Sequence, residues 1–213
     1  MKKFAWLAGL IFSMNVAFAE PNAVDTAVEK LQHEWAIANY QTAEDKQEAS
    51  FKALSELAHQ MSANNPGHAE LMVWEAIIVS GYAKAKGGIG ALGLAKTSRD
   101  LLLAAEAINP QALHGSIYTT LGSLHYKVPG WPIGFGDQKK ARGYLEKALQ
   151  MNPTGIDPNY FYADFLLNRG EYKKALEYFQ KALASPARPG REDADVGRKK
   201  DIQEGIEKAK QHL

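Results

Sequence analysis

Asn159 to Pro186, NYFYADFLLNRGEYKKALEYFQKALASP, decides how this chain folds. Tyr162, Phe165 and Leu166 recur at helical spacing in its first half, and Ala175, Tyr178, Phe179 and Ala182 do so in its second. Asn168-Arg169-Gly170 is the break between them, and Pro186 closes the unit. Two amphipathic helices this short cannot bury their apolar faces alone. The stretch is therefore one unit of a stack, and the rest of the chain should supply its neighbours.

It does so with fixed offsets. Ser98, Leu102 and Ala105 precede Pro110 by twelve, eight and five residues, and Ala141, Leu145 and Ala148 precede Pro153 by the same three intervals. Small residues at such positions let paired helices approach closely, while a ring such as Phe179 fills the space between units. This pattern resembles the tetratricopeptide repeat, a helix-turn-helix unit of about 34 residues. The expected fold is all-α: a stacked helix-turn-helix repeat solenoid of about four helix pairs, with a C-terminal capping helix.

The punctuating prolines Pro66, Pro110, Pro153 and Pro186 are 44, 43 and 33 residues apart. Against the repeat period, the two middle units each carry roughly nine extra residues. Alignment places both insertions between paired helices, at Gly87 to Gly93 and at Val128 to Gly136. Insertions recurring at one place in successive units project from one edge of the stack. That edge is the first candidate for function.

Four segments follow. Residues 1–19 read as a cleaved signal peptide: Lys2 and Lys3, an apolar run from Phe4 to Val16, and the Ala17-Phe18-Ala19 cleavage site. Residues 20–66 form an N-terminal helix pair, a degenerate repeat or cap, with Val28, Leu31 and Trp35 on its first helix and Phe51, Leu54 and Ala58 on its second. Residues 67–186 hold the repeats and their insertions, their helices expected from Ala69 to Lys86, Leu94 to Ile108, Leu113 to Tyr126 and Asp137 to Met151. Residues 187–213 are a linker and a charged helix whose apolar stripe is Val196, Ile202, Ile206 and Ala209. This helix reads as a solvated cover for the last repeat.

The formal charge of +1 becomes −1 once a leader with two lysines and no carboxylate is removed. That leaves no electrostatic footprint for nucleic acid. The chain has no cysteine, which excludes disulfides, thiol catalysis and a lipidated leader cysteine. A soluble periplasmic protein is the expectation, with secretion as the other outcome of export.

No catalytic, cofactor or metal constellation emerges. Gly88-Ile89-Gly90-Ala91-Leu92-Gly93 spells a dinucleotide fingerprint, but the preceding segment has helical rather than strand periodicity. The six histidines show no ligand spacing, and no nucleophile elbow or triad is present. The candidate site residues are instead recognition residues. Trp131, Pro132 and Phe135 crowd the second insertion, where they either cap the core between repeats or contact a ligand. Repeat alignment puts Tyr82, Tyr126 and Leu167 in one row of a concave groove and Glu75, Thr119 and Tyr160 in a second. Met72, Ser116 and Asp157 form a third row, and Val79, Ser123 and Asp164 a fourth. Lacking lysine and arginine in these rows, the groove suits an extended peptide or an apolar small molecule better than a clamped peptide carboxyl terminus.

Three stretches carry a closer resemblance: Lys86 to Lys96, Val128 to Asp137 (VPGWPIGFGD) and Asn152 to Tyr162. Together they resemble the TatT family, exported repeat proteins that are the T components associated with TRAP-type (tripartite ATP-independent periplasmic) transporters. The resemblance implies an all-helical protein that forms a homo-oligomer, a trimer around a hydrophobic pore, and contacts a periplasmic substrate-binding subunit. This chain lacks the leader cysteine of the lipid-anchored members. Two functions are expected: a non-enzymatic periplasmic binding or scaffold protein engaging a transporter-associated partner protein or an apolar ligand, or, of another class, a general periplasmic assembly factor working by peptide contacts.

Overall fold

Gly170 makes the turn that the Asn168-Arg169-Gly170 break requires, at φ 73°, a conformation that a side chain disfavours. It joins α7 (Ile156–Asn168) to α8 (Tyr172–Leu183), and the Glu171 amide donates back to the Leu166 carbonyl at 2.9 Å. Phe165, Leu166, Ala175, Phe179 and Ala182 are all buried in the resulting core. Burial of such side chains stabilises by roughly 1.5–3 kcal/mol for each large one.

The computed structural model describes residues 22–213; the leader reading lies outside them. Four helix pairs run in order before a closing helix. The first comprises α1 (Ala23–Ala36), continued by a π-helical turn over Ile37–Gln41, and α2 (Glu44–Asn64); the second α3 (Ala69–Lys86) and α4 (Gly90–Ile108). The third is α5 (Ser116–Lys127) with α6 (Gln138–Met151), and the fourth α7 with α8, after which comes α9 (Glu192–Lys210). The architecture is the expected all-α repeat solenoid. Among the described residues the sole β feature is an isolated bridge between Gly130 and Gly136, and no helix is long and apolar enough to cross a membrane.

Three apolar clusters run along the stack: one under α1 to α3 around Leu31, Phe51 and Ile78, a middle one around Leu102, Tyr118 and Leu121, and one from Tyr126 to Ile202. Each is shared by successive pairs, which is why no pair stands alone.

Three segments differ from the spacing-based expectation, each for a local reason. Gly90 to Gly93 is the first turn of α4 rather than loop, since Ala91, Leu92 and Leu94 are strong helix formers that offset the two glycines. Leu113 and His114, expected to be helical, sit at φ 51° and 48° ahead of α5. This left-handed turn lets Leu113 touch both the first and the middle cluster. The chain then passes so close beneath α6 that a Cβ on Gly115 would lie 3.2 Å from the Ala148 carbonyl oxygen.

The third difference is α9. It covers α8 as a cap should, with Ile202 and Ala209 buried, but Val196 is 72% exposed and the buried positions beside it are Asp195, Gly197 and Arg198. The reason is a second contact. The first half of α9 also meets α1 and the π-turn: the Tyr40 hydroxyl donates to Asp201 at 3.0 Å, and the Tyr40 ring occupies the space where a Cβ on Gly197 would be. His33 and Asp193 approach to 3.5 Å nearby. The last helix thus returns to the first, and the stack curls around its concave side.

Candidate functional site

Curling encloses a cavity of about 720 Å³, with walls contributed by α1, α3, α4, α5, α7, α9 and both insertions. Trp35 and Trp74 meet edge to face at 6.2 Å on the α1 and α3 side. Ile77, Leu92, Val128 and Ile133 extend the apolar surface toward the insertions. Ile89, 90% exposed, and Ile133, 66% exposed, line the same cavity from the first and second insertion. They mark its mouth, and they put the two insertions on one edge as the repeat spacing predicts.

The opposite end is charged. Arg188 binds Asp157 and Asp195, each at 2.6 Å, and Arg198 binds Asp157 and Asp201, each at 2.9 Å. Arg198 also lies over the rings of Tyr160, at 4.2 Å, and Phe161, at 5.0 Å. Burial alone would raise the Asp157 carboxyl, but Arg198, Arg188 and Arg191 overcome it and hold the group well below the usual carboxylate range. Burial pushes the Tyr160 and Tyr40 phenols far up, so both hydroxyls stay protonated. Arg191 stacks on Trp74 at 5.0 Å, and among the described residues it has no ion-pair partner.

These arginines correct the sequence reading of the groove. Repeat alignment could see only the first helix of each unit, whereas the cations come from the connection after Pro186 and from α9. Lys84 and Lys127 add to them, so the lining has five cationic side chains against two carboxylates, Asp157 and Asp201.

The aligned rows divide. Ser116 with Asp157, Thr119 with Tyr160, and Ser123 line the cavity. Tyr126 does not: it is buried in the third cluster and donates to Asp164. Glu75 is buried against His59, 2.8 Å away, and Tyr82 packs on the first cluster beneath the Lys86 ammonium.

In the second insertion, Phe135 stacks edge-on to His125 at 5.3 Å and lies under Arg99 at 4.6 Å. The Asp137 amide donates to the His125 carbonyl at 2.8 Å, while the Asp137 carboxylate caps α6 through the amides of Lys139 and Lys140. This anchors the loop. Trp131, 90% exposed, and Pro132 project from it into solvent. His125 is buried and its imidazole pKa is lowered, first by burial and then by Lys140. Trp35, Trp74, Arg191 and Arg198 were the residues that sequence alignment missed. The Trp35 and Trp74 positions were legible as apolar helix faces, the arginines only as surface charge.

Gly88 to Gly93 follows helix α3, so the strand that a dinucleotide fingerprint requires is not there. Among the described residues no group of three or more histidines and carboxylates could hold a metal ion.

Residues 133–189 match the family model of the tetratricopeptide repeat. The likeness to that family is confined to this part of the chain. It spans α6 to α8. No curated protein matches the chain. Among solved structures it is similar to a thermophilic TPR protein of Thermus thermophilus, with 15% identity, a TM-score of 0.46, and coverage of 89% of this chain and 100% of that one. It is also similar to MamA of AMB-1, at 17% identity over 88% and 95% of the two chains with a TM-score of 0.46. A third is PilF of Pseudomonas aeruginosa, at 16% identity over 87% and 89%, with a TM-score of 0.35.

Proposed function

We propose that this chain is a non-enzymatic, exported binding protein that holds an apolar small ligand in its concave cavity and presents its insertion edge to a protein partner. The observation that carries the reading is the cavity itself. At about 720 Å³ it lies within the size range of small-molecule sites, and like them it is largely apolar with a few placed polar groups. Its mouth carries Ile89 and Ile133, and Trp131 stands exposed on the same insertion as Ile133, large apolar side chains whose exposure suits a docking surface. The TatT resemblance supports a periplasmic substrate-binding subunit of a TRAP-type transporter as that partner, with the chain acting as a homo-oligomer.

Native mass spectrometry of protein purified under non-denaturing conditions tests the ligand. A bound lipid-like mass that leaves on unfolding supports the reading; ligand-free protein that captures unrelated unfolded clients favours the assembly-factor role and overturns it. Trp131→Ala tests the partner. Capture from periplasmic extract should fall at least about tenfold, as for a central aromatic contact, while helical circular dichroism and melting temperature hold. Lost thermal stability with unchanged capture would make Trp131 a structural residue only.

A further inference from the structure

We propose that the ligand is an apolar carboxylic acid, its carboxylate paired with the Arg191 guanidinium and its hydrocarbon body lying along Ile77, Leu92 and Ile133 toward the mouth. This deepens the ligand reading above and rests on it.

The argument begins with where the charges go. Asp157, Asp195 and Asp201 face the arginine cluster, and all three are engaged by Arg188 and Arg198. Lys127 is taken by Asp164 at 3.2 Å, and Lys84 is exposed and keeps its hydration. Arg191 alone is half-buried, lines the cavity, and has neither an ion pair nor a side-chain hydrogen bond among the described residues. Its Nε is fully buried without a partner, and so is Nε1 of Trp74, the ring it stacks on. Buried charges and donors in folded proteins are nearly always matched. The described residues supply no acceptor to these two donors.

Burial lowers the Arg191 pKa, and the neighbouring Arg188 and Arg198 add to the effect, although the guanidinium stays charged. An entering anion would oppose both by its Coulombic attraction for the guanidinium. A carboxylate suits this end in chemistry: it is acceptor-only and matches the guanidinium fork with two parallel hydrogen bonds. Arg191 is the one guanidinium of the three without an ion pair among the described residues, so the site takes a single carboxylate head.

The remainder of the lining selects the body. Between the arginine end and the mouth the walls are mostly aliphatic and aromatic; the neutral polar side chains of the lining are the hydroxyls of Ser80, Ser116, Thr119 and Ser123, the Tyr160 phenol and one carboxamide, Asn39. An extended peptide would bring a donor and an acceptor at nearly every residue, more than these few groups can match, and each left unmatched costs free energy. A hydrocarbon chain brings none. Hence a small apolar acid is favoured over a peptide carboxyl terminus.

The test uses purified protein freed of bound lipid by unfolding and refolding, with isothermal titration of decanoate, decanol and an unacylated hexapeptide at neutral pH. Decanoate should bind about tenfold or more tighter than decanol, the gain expected of a charge-assisted pair. Arg191→Gln should bring decanoate down to decanol while leaving decanol unchanged, and Arg191→Lys should keep part of the preference. The proposal is overturned by equal affinities in the unsubstituted protein, by a preference that survives in Arg191→Gln, by an equal loss of both ligands, or by a hexapeptide that outcompetes decanoate. Decanol binding without a carboxylate gain sinks this inference and spares the apolar-ligand reading; no binding of either sinks both. A melting curve of each variant confirms folding.

Discussion

Helices α8 and α9 lie side by side at the end of the stack and are buried by opposite chemistry. The inner face of α8 is Ala175, Phe179 and Ala182, apolar at every step. Its neighbour buries Asp195 and Arg198 together with Gly197, Ile202, Gly205 and Ala209. In α8 the pattern of the helix alone announces which side goes in. In α9 the buried charges depend on residues elsewhere, Asp157 and Arg188, with Asp201 the one partner from α9 itself, and its glycines are spaces that the Phe179 and Tyr40 rings fill. The contrast teaches that a helix can be integral to a core without being amphipathic, provided that distant elements complete it. It also shows why α9 does more than cover the last repeat: the same helix closes the ring and charges the cavity.

The largest effect should come from the apolar side of the contrast. Phe179 is fully buried and its ring occupies the volume where a Cβ on Gly205 would stand. Phe179→Ala should cost about 3–5 kcal/mol in urea unfolding. Gly205→Ala should be destabilising in the native background and close to neutral beside Phe179→Ala, because the obstructing ring is gone. Additive costs would break the claim that this ring is what joins the two helices.

Next is the charged side. Arg198→Gln leaves Asp157 and Asp201 without their shared cation, and about 2–3 kcal/mol should be lost at neutral pH. This is below the usual cost of breaking a fully buried pair because the two carboxylates, at 28% and 30% exposure, retain some water. The loss should depend on pH with a definite sign. Since the folded Asp157 titrates below its ordinary value of 3.8, the stability it contributes is complete above that value and disappears as pH falls below it. Denaturation midpoints of protein and variant should therefore converge on acidification from about pH 4. A gap that is constant with pH would show that Arg198 acts by packing alone.

The same contrast explains what the amino-acid sequence reveals. The repeat register was legible because Ser98, Leu102 and Ala105, and again Ala141, Leu145 and Ala148, are local patterns governed by one helix and its partner. The shared edge of the insertions followed from spacing alone. The cationic end of the cavity was not legible, because Arg188, Arg191 and Arg198 have the composition of a solvated linker and helix until the ring closes around them. Neither Trp35 nor Trp74 could be assigned to a cavity wall, since an aromatic ring on an inner helix face has the same pattern whether it meets a neighbour or an open space. Ring closure is a property of accumulated curvature over four pairs, and no single window of residues encodes it.

Tyr40 offers the smallest and most selective way to sharpen the comparison. Its hydroxyl bonds Asp201 across the seam between the π-turn and α9, while its ring fills the notch at Gly197. Tyr40→Phe keeps the ring and removes only the hydroxyl, so Asp201 retains Arg198 and the seam retains its packing. The cost should be about 1 kcal/mol, the net worth of one hydrogen bond. Because burial pushes this phenol far above the neutral range, that cost should not vary between about pH 5 and 9, unlike the Arg198→Gln loss at its acid limit. Hydrogen exchange gives the local readout: amides of the π-turn and of the first half of α9 should lose protection together, with those of α8 unchanged. If the π-turn amides alone respond, the two termini are neighbours without being coupled, and α9 is held only from the α8 side.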